Sequence, residues 1–161
     1  MFASFKTVIS DLVAEVGRRN RLGDDDHHIA IAALLIRAAS VDSDMSEARR
    51  NKLYIVLKSY FGSDDTATAE LIEKGTKAAL DAVDLYHFTR QINLVASNEM
   101  HRRIIQMMWE VIYANGSASP LENNIVWRTA DLLGVPSRQR VELQHRIAEA
   151  SPACREPQMS T

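Results

Sequence analysis

Oxygen-bearing side chains stand at alternate positions in the run Asp42, Asp44 and Ser46. An EF-hand calcium loop opens in this way, but its sixth position must be glycine and its twelfth a bidentate glutamate. Here those positions hold Glu47 and Leu53, so an EF-hand is excluded. Because hard cations need only several converging oxygens, Asp42, Asp44 and Glu47 could still form a looser site. The alternative is that Asp44 or Ser46 caps the next helix, with Glu47 at its positive end.

A second polar break lies between Asn115 and Ser119. The segment 119–122 is typical of a helix start, with serine as N-cap, proline in the first turn and a glutamate reaching back. Glu122 is the only acid near this break, because Asn115 and Ser117 are neutral. A divalent ion needs anionic ligands to offset its lost hydration. If a cation binds, therefore, either the first break holds it or both breaks share it.

The two breaks occupy matching places in an internal repeat. Residues 34–62 and 107–134 each consist of an apolar helix, a polar break, a serine start, a second apolar helix and a closing glycine. We expect the two copies to meet face to face. Apolar residues recur at helical spacing elsewhere too, and β-strand alternation is absent. The pattern predicts one all-α domain over residues 1–150, a bundle of seven or eight helices with a helix-loop-helix pseudo-repeat, and a disordered tail over 151–161. The other predicted helices include 65–81, 84–95, 98–114 and 137–150.

Composition restricts the classes of function. The 161 residues carry 19 Lys+Arg against 21 Asp+Glu, a net charge of −2, so no basic excess is present to hold a nucleic-acid backbone. The longest apolar run, residues 29–36, is far below the roughly 20 residues that cross a bilayer. No secretory signal is visible, so we expect a cytoplasmic protein without a transmembrane segment. An amphipathic stretch over residues 2–17 is expected to pack on the bundle, the alternative being a peripheral membrane contact.

No constellation of residues in the chain favours catalysis. The five histidines show no zinc-site spacing, and the single cysteine, Cys154, has no fixed base beside it. Glycine-rich phosphate loops, nucleophile elbows and paired carboxylates are absent. We therefore expect a non-enzymatic protein. An unrecognised hydrolase, the less favoured alternative, would require a pocket with convergent titratable groups.

Four segments carry a resemblance to a known family. They are AALL leading to ASVD (32–42), DLYHFTRQIN (84–93), MWEVIYANG (108–116) and RTADLLGV (128–135). With these motifs in this order, the chain resembles the TerB-like tellurite-resistance family of bacteria over about residues 5–150. The resemblance implies a compact helical bundle with a pseudo-repeat, and an association with tellurite resistance and with envelope or stress responses. It also implies a divalent-metal site built from acidic residues at the two breaks.

This chain departs from the family pattern at both breaks. The pattern looks like Asp-Gly-Glu, with a further Glu seven positions after the Asp. The first break keeps Asp42 and Asp44, but Arg49 stands where the pattern has the further Glu. The second break keeps Glu122, but Asn115 replaces the Asp. The resemblance thus implies a weakened calcium or magnesium site formed by Asp42, Asp44, Asn115 and Glu122. The low dielectric constant of a protein interior strengthens the repulsion between an arginine and a nearby cation. Arg49 is therefore expected to replace the metal with an internal salt bridge.

Two hypotheses for function follow. The first is a non-enzymatic interaction scaffold, with an unidentified protein partner, that binds a divalent cation at these four residues with residual affinity. The second is a metal-free protein-interaction module whose acids only cap helices. The melting temperature during calcium or magnesium titration distinguishes them. Acidic breaks would repel an oxyanion, so direct binding of tellurite is not expected on charge grounds.

Overall fold

Every regular element in the described part of the chain is helical. The computed structural model describes residues 26–82 and 84–151, and these contain seven α-helices, one 3₁₀ turn and no β-strand. Helix α1 covers residues 26–40, and the others are α2 (Glu47–Phe61), α3 (Asp65–Asp81), α4 (Tyr86–Asn93), α5 (Asn98–Ile112), the 3₁₀ turn Tyr113–Asn115, α6 (Pro120–Leu133) and α7 (Ser137–Ala150). The all-α prediction is confirmed. The amphipathic stretch over 2–17 and the tail from 152 onward lie outside the described residues.

The helix boundaries follow from the side chains that the sequence places there. Ser119 and Glu122 form the predicted capping box of α6: Ser119 Oγ accepts from the Glu122 N–H at 3.2 Å, and Glu122 Oε1 accepts from the Ser119 N–H at 2.9 Å. Helix α2 begins after Ser46, whose Oγ accepts from the Arg49 N–H at 3.2 Å. Gly62 ends α2 with a φ of 60°, a left-handed conformation that favours glycine.

Helix α5 is the central element of the bundle. It packs against α2, α6 and α7, and eight of its 15 residues are buried. Helix α1 is buried on nearly all sides: between residues 30 and 39, only Arg37 is not buried. A helix that is apolar all round belongs inside a bundle. Both helices keep buried residues up to their last turn, so the polar segment after each begins directly at the core. No helix in the described ranges combines the length and the hydropathy needed to cross a membrane.

Gly75 lets α3 pack directly against α1. It is buried, and a Cβ at this position would lie 2.8 Å from Cβ of Ala32 and 3.2 Å from Cδ1 of Ile36. We expect Gly75→Ala to lower the free energy of unfolding by about 1–2 kcal/mol, because overpacking outweighs the gain in helix propensity. Thermal denaturation measures the effect. Lys77→Ala, at an exposed position of the same helix, is the control. An unchanged melting temperature in Gly75→Ala would show that α1 and α3 can move apart without a loss of stability.

Candidate functional site

The two polar junctions of the repeat lie side by side. Junction 1 (residues 41–46) connects α1 to α2, and junction 2 (residues 113–119) lies between α5 and α6. Arg49 links them: it stands in the first turn of α2, its side chain is buried, and it reaches backbone carbonyls next to both junctions. The two helix-junction-helix units therefore meet at their junctions, as the repeat predicted.

The guanidinium of Arg49 donates three hydrogen bonds to backbone carbonyls. Nε donates to Ile112 at 3.0 Å, Nη1 to Ala39 at 3.0 Å and Nη2 to Ser117 at 3.2 Å. Ala39 lies in the last turn of α1 and Ile112 is the last residue of α5, and carbonyls at helix C-termini have no partner within the helix. One side chain therefore caps the ends of two helices and holds junction 2 against them.

Glu122 adds a buried negative charge from α6. Its Oε2 lies 2.5 Å from Nη1 of Arg49, and the two side chains are only 4% and 7% exposed. The two opposite charges are close together and shielded from water, which strengthens their attraction. The internal salt bridge predicted for Arg49 is confirmed. We call this group the junction clamp: Arg49, Glu122 and the carbonyls of Ala39, Ile112 and Ser117.

The junction clamp has the set of oxygen donors that a hard cation would take. Three carbonyl oxygens and one carboxylate surround a single positive group. Ca²⁺ and Mg²⁺ are bound in proteins by the same types of oxygen. In this chain the positive group is a guanidinium, and it would repel a second cation placed among these oxygens. The clamp therefore does not fit a divalent ion in addition to Arg49.

The other predicted metal-ligating residues lie outside the clamp. Asp42, Asp44 and Asn115 are exposed, and Ser46 rather than Asp44 caps α2. Of the four predicted ligands, only Glu122 enters the cluster. In the described part of the chain, no three His, Cys, Asp or Glu side chains are grouped so that they could hold a metal ion. Cation binding through Asp42 and Asp44 stays a prediction.

Sequence reasoning missed three members of the clamp. Ala39, Ile112 and Ser117 contribute only backbone carbonyls, which carry no signal in residue type. The available signal was indirect: the last carbonyls of a helix need donors from elsewhere. An arginine inside the bundle and beside two helix ends is a suitable donor to these carbonyls, because its guanidinium carries five N–H groups.

Helix α7 provides a second connection to junction 2. Gln144 Nε2 donates to the Tyr113 hydroxyl and to Oδ1 of Asn123, each at 3.1 Å. Gly116 turns the chain between these two residues with a φ of 95°. The 3₁₀ turn and the start of α6 are therefore held by α7 as well as by Arg49.

The sequence matches a known family across most of this structure. The model of the family described as tellurite resistance protein TerB matches residues 28–145. This chain belongs to the TerB family. The match to TerB includes both junctions, so the junction clamp lies within the family domain. No curated protein and no solved structure matches the chain significantly.

Proposed function

We propose that this TerB-family chain is a non-enzymatic, cytoplasmic interaction scaffold in tellurite resistance or a related stress response, and that Arg49 holds its junctions in place of a divalent cation. The junction clamp carries this proposal, because one guanidinium binds three carbonyls and a buried carboxylate. The protein groups of the clamp connect α1, α2, α5 and α6. Rigid elements present a binding surface more accurately than mobile ones.

Titration with calcium or magnesium tests this proposal against the alternative that Asp42, Asp44, Asn115 and Glu122 hold a cation. We expect the same melting temperature for the full chain in EDTA and in millimolar CaCl₂ or MgCl₂. A site at 100 times its Kd would add about 2.7 kcal/mol of stability, which raises the melting temperature by several degrees. Such a rise, abolished by the double substitution Asp42→Asn and Asp44→Asn, would establish the alternative.

Three exposed apolar residues near the ends of α4 and α6 are the surface that we propose for the scaffold role. Asn93 Nδ2 donates to the carbonyl of Leu132 at 3.0 Å and holds the two helix ends together. Leu94, Val95 and Leu132 are 78%, 54% and 38% exposed. Contiguous exposed apolar surface of several hundred Å² marks interaction sites in general. We propose that this end patch, formed by Leu94, Val95 and Leu132, contacts the protein partner.

Affinity capture from a bacterial lysate tests the end patch. We expect Leu94→Ser to keep the melting temperature of the wild type and to lose the captured partner, because the substitution removes exposed apolar area and no core contact. Leu80→Ser is the matched control, since Leu80 is 82% exposed on α3. Equal capture by both variants, or equal loss in both, would contradict a role for the patch.

A further inference from the structure

A cavity of about 540 Å³ opens between α5 and α7, with Tyr60 of α2 in its lining. Three arginines also line it: Arg102 and Arg103 from α5, and Arg146 from α7. Pockets that hold small molecules typically measure roughly 300–1,000 Å³. We call this cavity the arginine cleft. None of its residues belongs to the junction clamp or to the end patch.

The arginine cleft lies at the N-terminal halves of both helices that form it. The cleft is lined by residues 99–106 of α5 and 139–146 of α7, whereas a neighbouring cavity is lined by 106–114 and 146–151. The two helices therefore run in the same direction, with both N-terminal halves at the cleft. Each helix N-terminus carries the equivalent of about half a positive charge. The dipoles act within the first turn of each helix, at the end of the cleft that Glu99 and Gln139 line.

The arginines of the cleft have no acidic partner in the part of the chain that the structure describes. None of the three forms an ion pair there, and all are exposed. Two glutamates line the cleft beside the three arginines, so its charged side chains sum to an excess of one positive charge. Glu142 pairs with Arg138 at 3.5 Å, and Glu99 lies in the first turn of α5, where the helix dipole stabilises it. The cleft therefore presents guanidinium groups that form no ion pair among the described residues, with a net positive lining.

Tyr60 adds a neutral hydrogen-bond donor to this lining. Its hydroxyl is shielded from solvent and has no hydrogen-bond partner among the described residues. Burial raises the pKa of Tyr60, and the positive charge of Arg103 opposes that rise only in part, so the hydroxyl stays protonated at neutral pH. A buried hydroxyl without a partner is unfavourable. If the Tyr60 side chain moves toward the cleft, an acceptor oxygen bound beside Arg103 would satisfy its hydroxyl.

We propose that the arginine cleft binds a small molecule that carries a multiply charged oxyanion, with phosphate as the group that fits best. A guanidinium offers parallel N–H donors that match the oxygens of a phosphate. Arg103 and Arg146 approach the anion from two helices, and Tyr60 donates to it from a third. The arginines that would bind the anion are exposed, so binding requires no change in the core.

Isothermal titration of the full chain with inorganic pyrophosphate at low ionic strength tests this site. We expect saturable one-to-one binding that weakens as NaCl is added. Arg103→Gln and Arg146→Gln should each lower the affinity about tenfold, because each removes a charge-assisted hydrogen bond. Tyr60→Phe should lower it by a smaller factor, since it removes a neutral donor. Arg128→Gln, on an exposed position of α6, removes the same charge elsewhere and should keep wild-type affinity.

Three results would overturn the proposal. The first is no binding by the wild type at millimolar pyrophosphate. The second is an equal loss of affinity in Arg128→Gln and Arg103→Gln, which would show only a general effect of charge. The third is tighter binding of citrate than of pyrophosphate, which would assign the cleft to polycarboxylates. Circular dichroism and the melting temperature of each variant show that a loss of binding is not a loss of the fold.

Discussion

Arg49→Met is expected to lower the free energy of unfolding by about 3–5 kcal/mol, as is usual when one partner of a buried ion pair is removed. The substitution leaves Glu122 buried without its counter-charge. It also leaves the carbonyls of Ala39, Ile112 and Ser117 without their donor. A domain is typically stable by only about 5–15 kcal/mol, so the loss is a large part of the total. Urea denaturation measures it.

Two further substitutions separate charge from geometry in the clamp. Arg49→Lys keeps the charge but cannot supply a planar fork to three carbonyls, so we expect an intermediate loss. Glu122→Gln keeps an acceptor for the Ser119 N–H while removing the charge. In the double variant of Arg49→Met with Glu122→Gln, the free energy of unfolding should fall by less than the sum of the two single decreases. Strict additivity would show that the two side chains do not depend on each other.

Arg49→Glu should make the stability of this fold depend on a divalent cation. Without an ion, the new carboxylate faces Glu122 inside a buried cage, so the loss should exceed that of Arg49→Met. With Ca²⁺, two carboxylates and the carbonyls of the clamp supply oxygens of the type that Ca²⁺ prefers. At 100 times the Kd, binding restores about 2.7 kcal/mol. Melting temperatures in EDTA and in CaCl₂ measure the dependence.

Arg49→Met is the control for this ion dependence, because it removes the arginine without adding a second carboxylate. We expect its melting temperature to be the same in EDTA and in CaCl₂. If both variants responded equally to calcium, the ion would be binding elsewhere, for example at Asp42 and Asp44. If neither responded, the oxygens of the junction clamp would not be arranged for a cation.

A guanidinium and a metal ion differ in how they respond to the surroundings of the protein. Metal-dependent folds lose stability when a chelator is added or when pH protonates their ligands. Arg49 is covalently part of the chain, and arginine keeps its charge at all ordinary pH values. If Arg49 replaces a divalent cation as proposed, the stability of the junctions should not change when a chelator is added.

The helices were predictable because local chemistry marks their ends. The capping box at Ser119 and the left-handed glycines Gly62 and Gly134 lie where the sequence placed them. Differences occur where the ends lack such markers. The helix predicted over 84–95 is Tyr86–Asn93, and the one predicted over 98–114 ends at Ile112 and continues as a 3₁₀ turn. Last turns often tighten in this way, and no side chain announces it.

The amino-acid sequence by itself determined the all-α fold, the TerB-like pattern and the presence of an arginine where that pattern has an acid. Only the tertiary structure decided which groups this arginine binds. Its partners are mainly carbonyls, which every residue has, and their positions depend on how α1 and α5 pack. Tyr60 and Arg146 are far apart in sequence but line the same arginine cleft. Residue spacing determines which side chains share a helix face, whereas contacts between helices arise only from packing of the whole core.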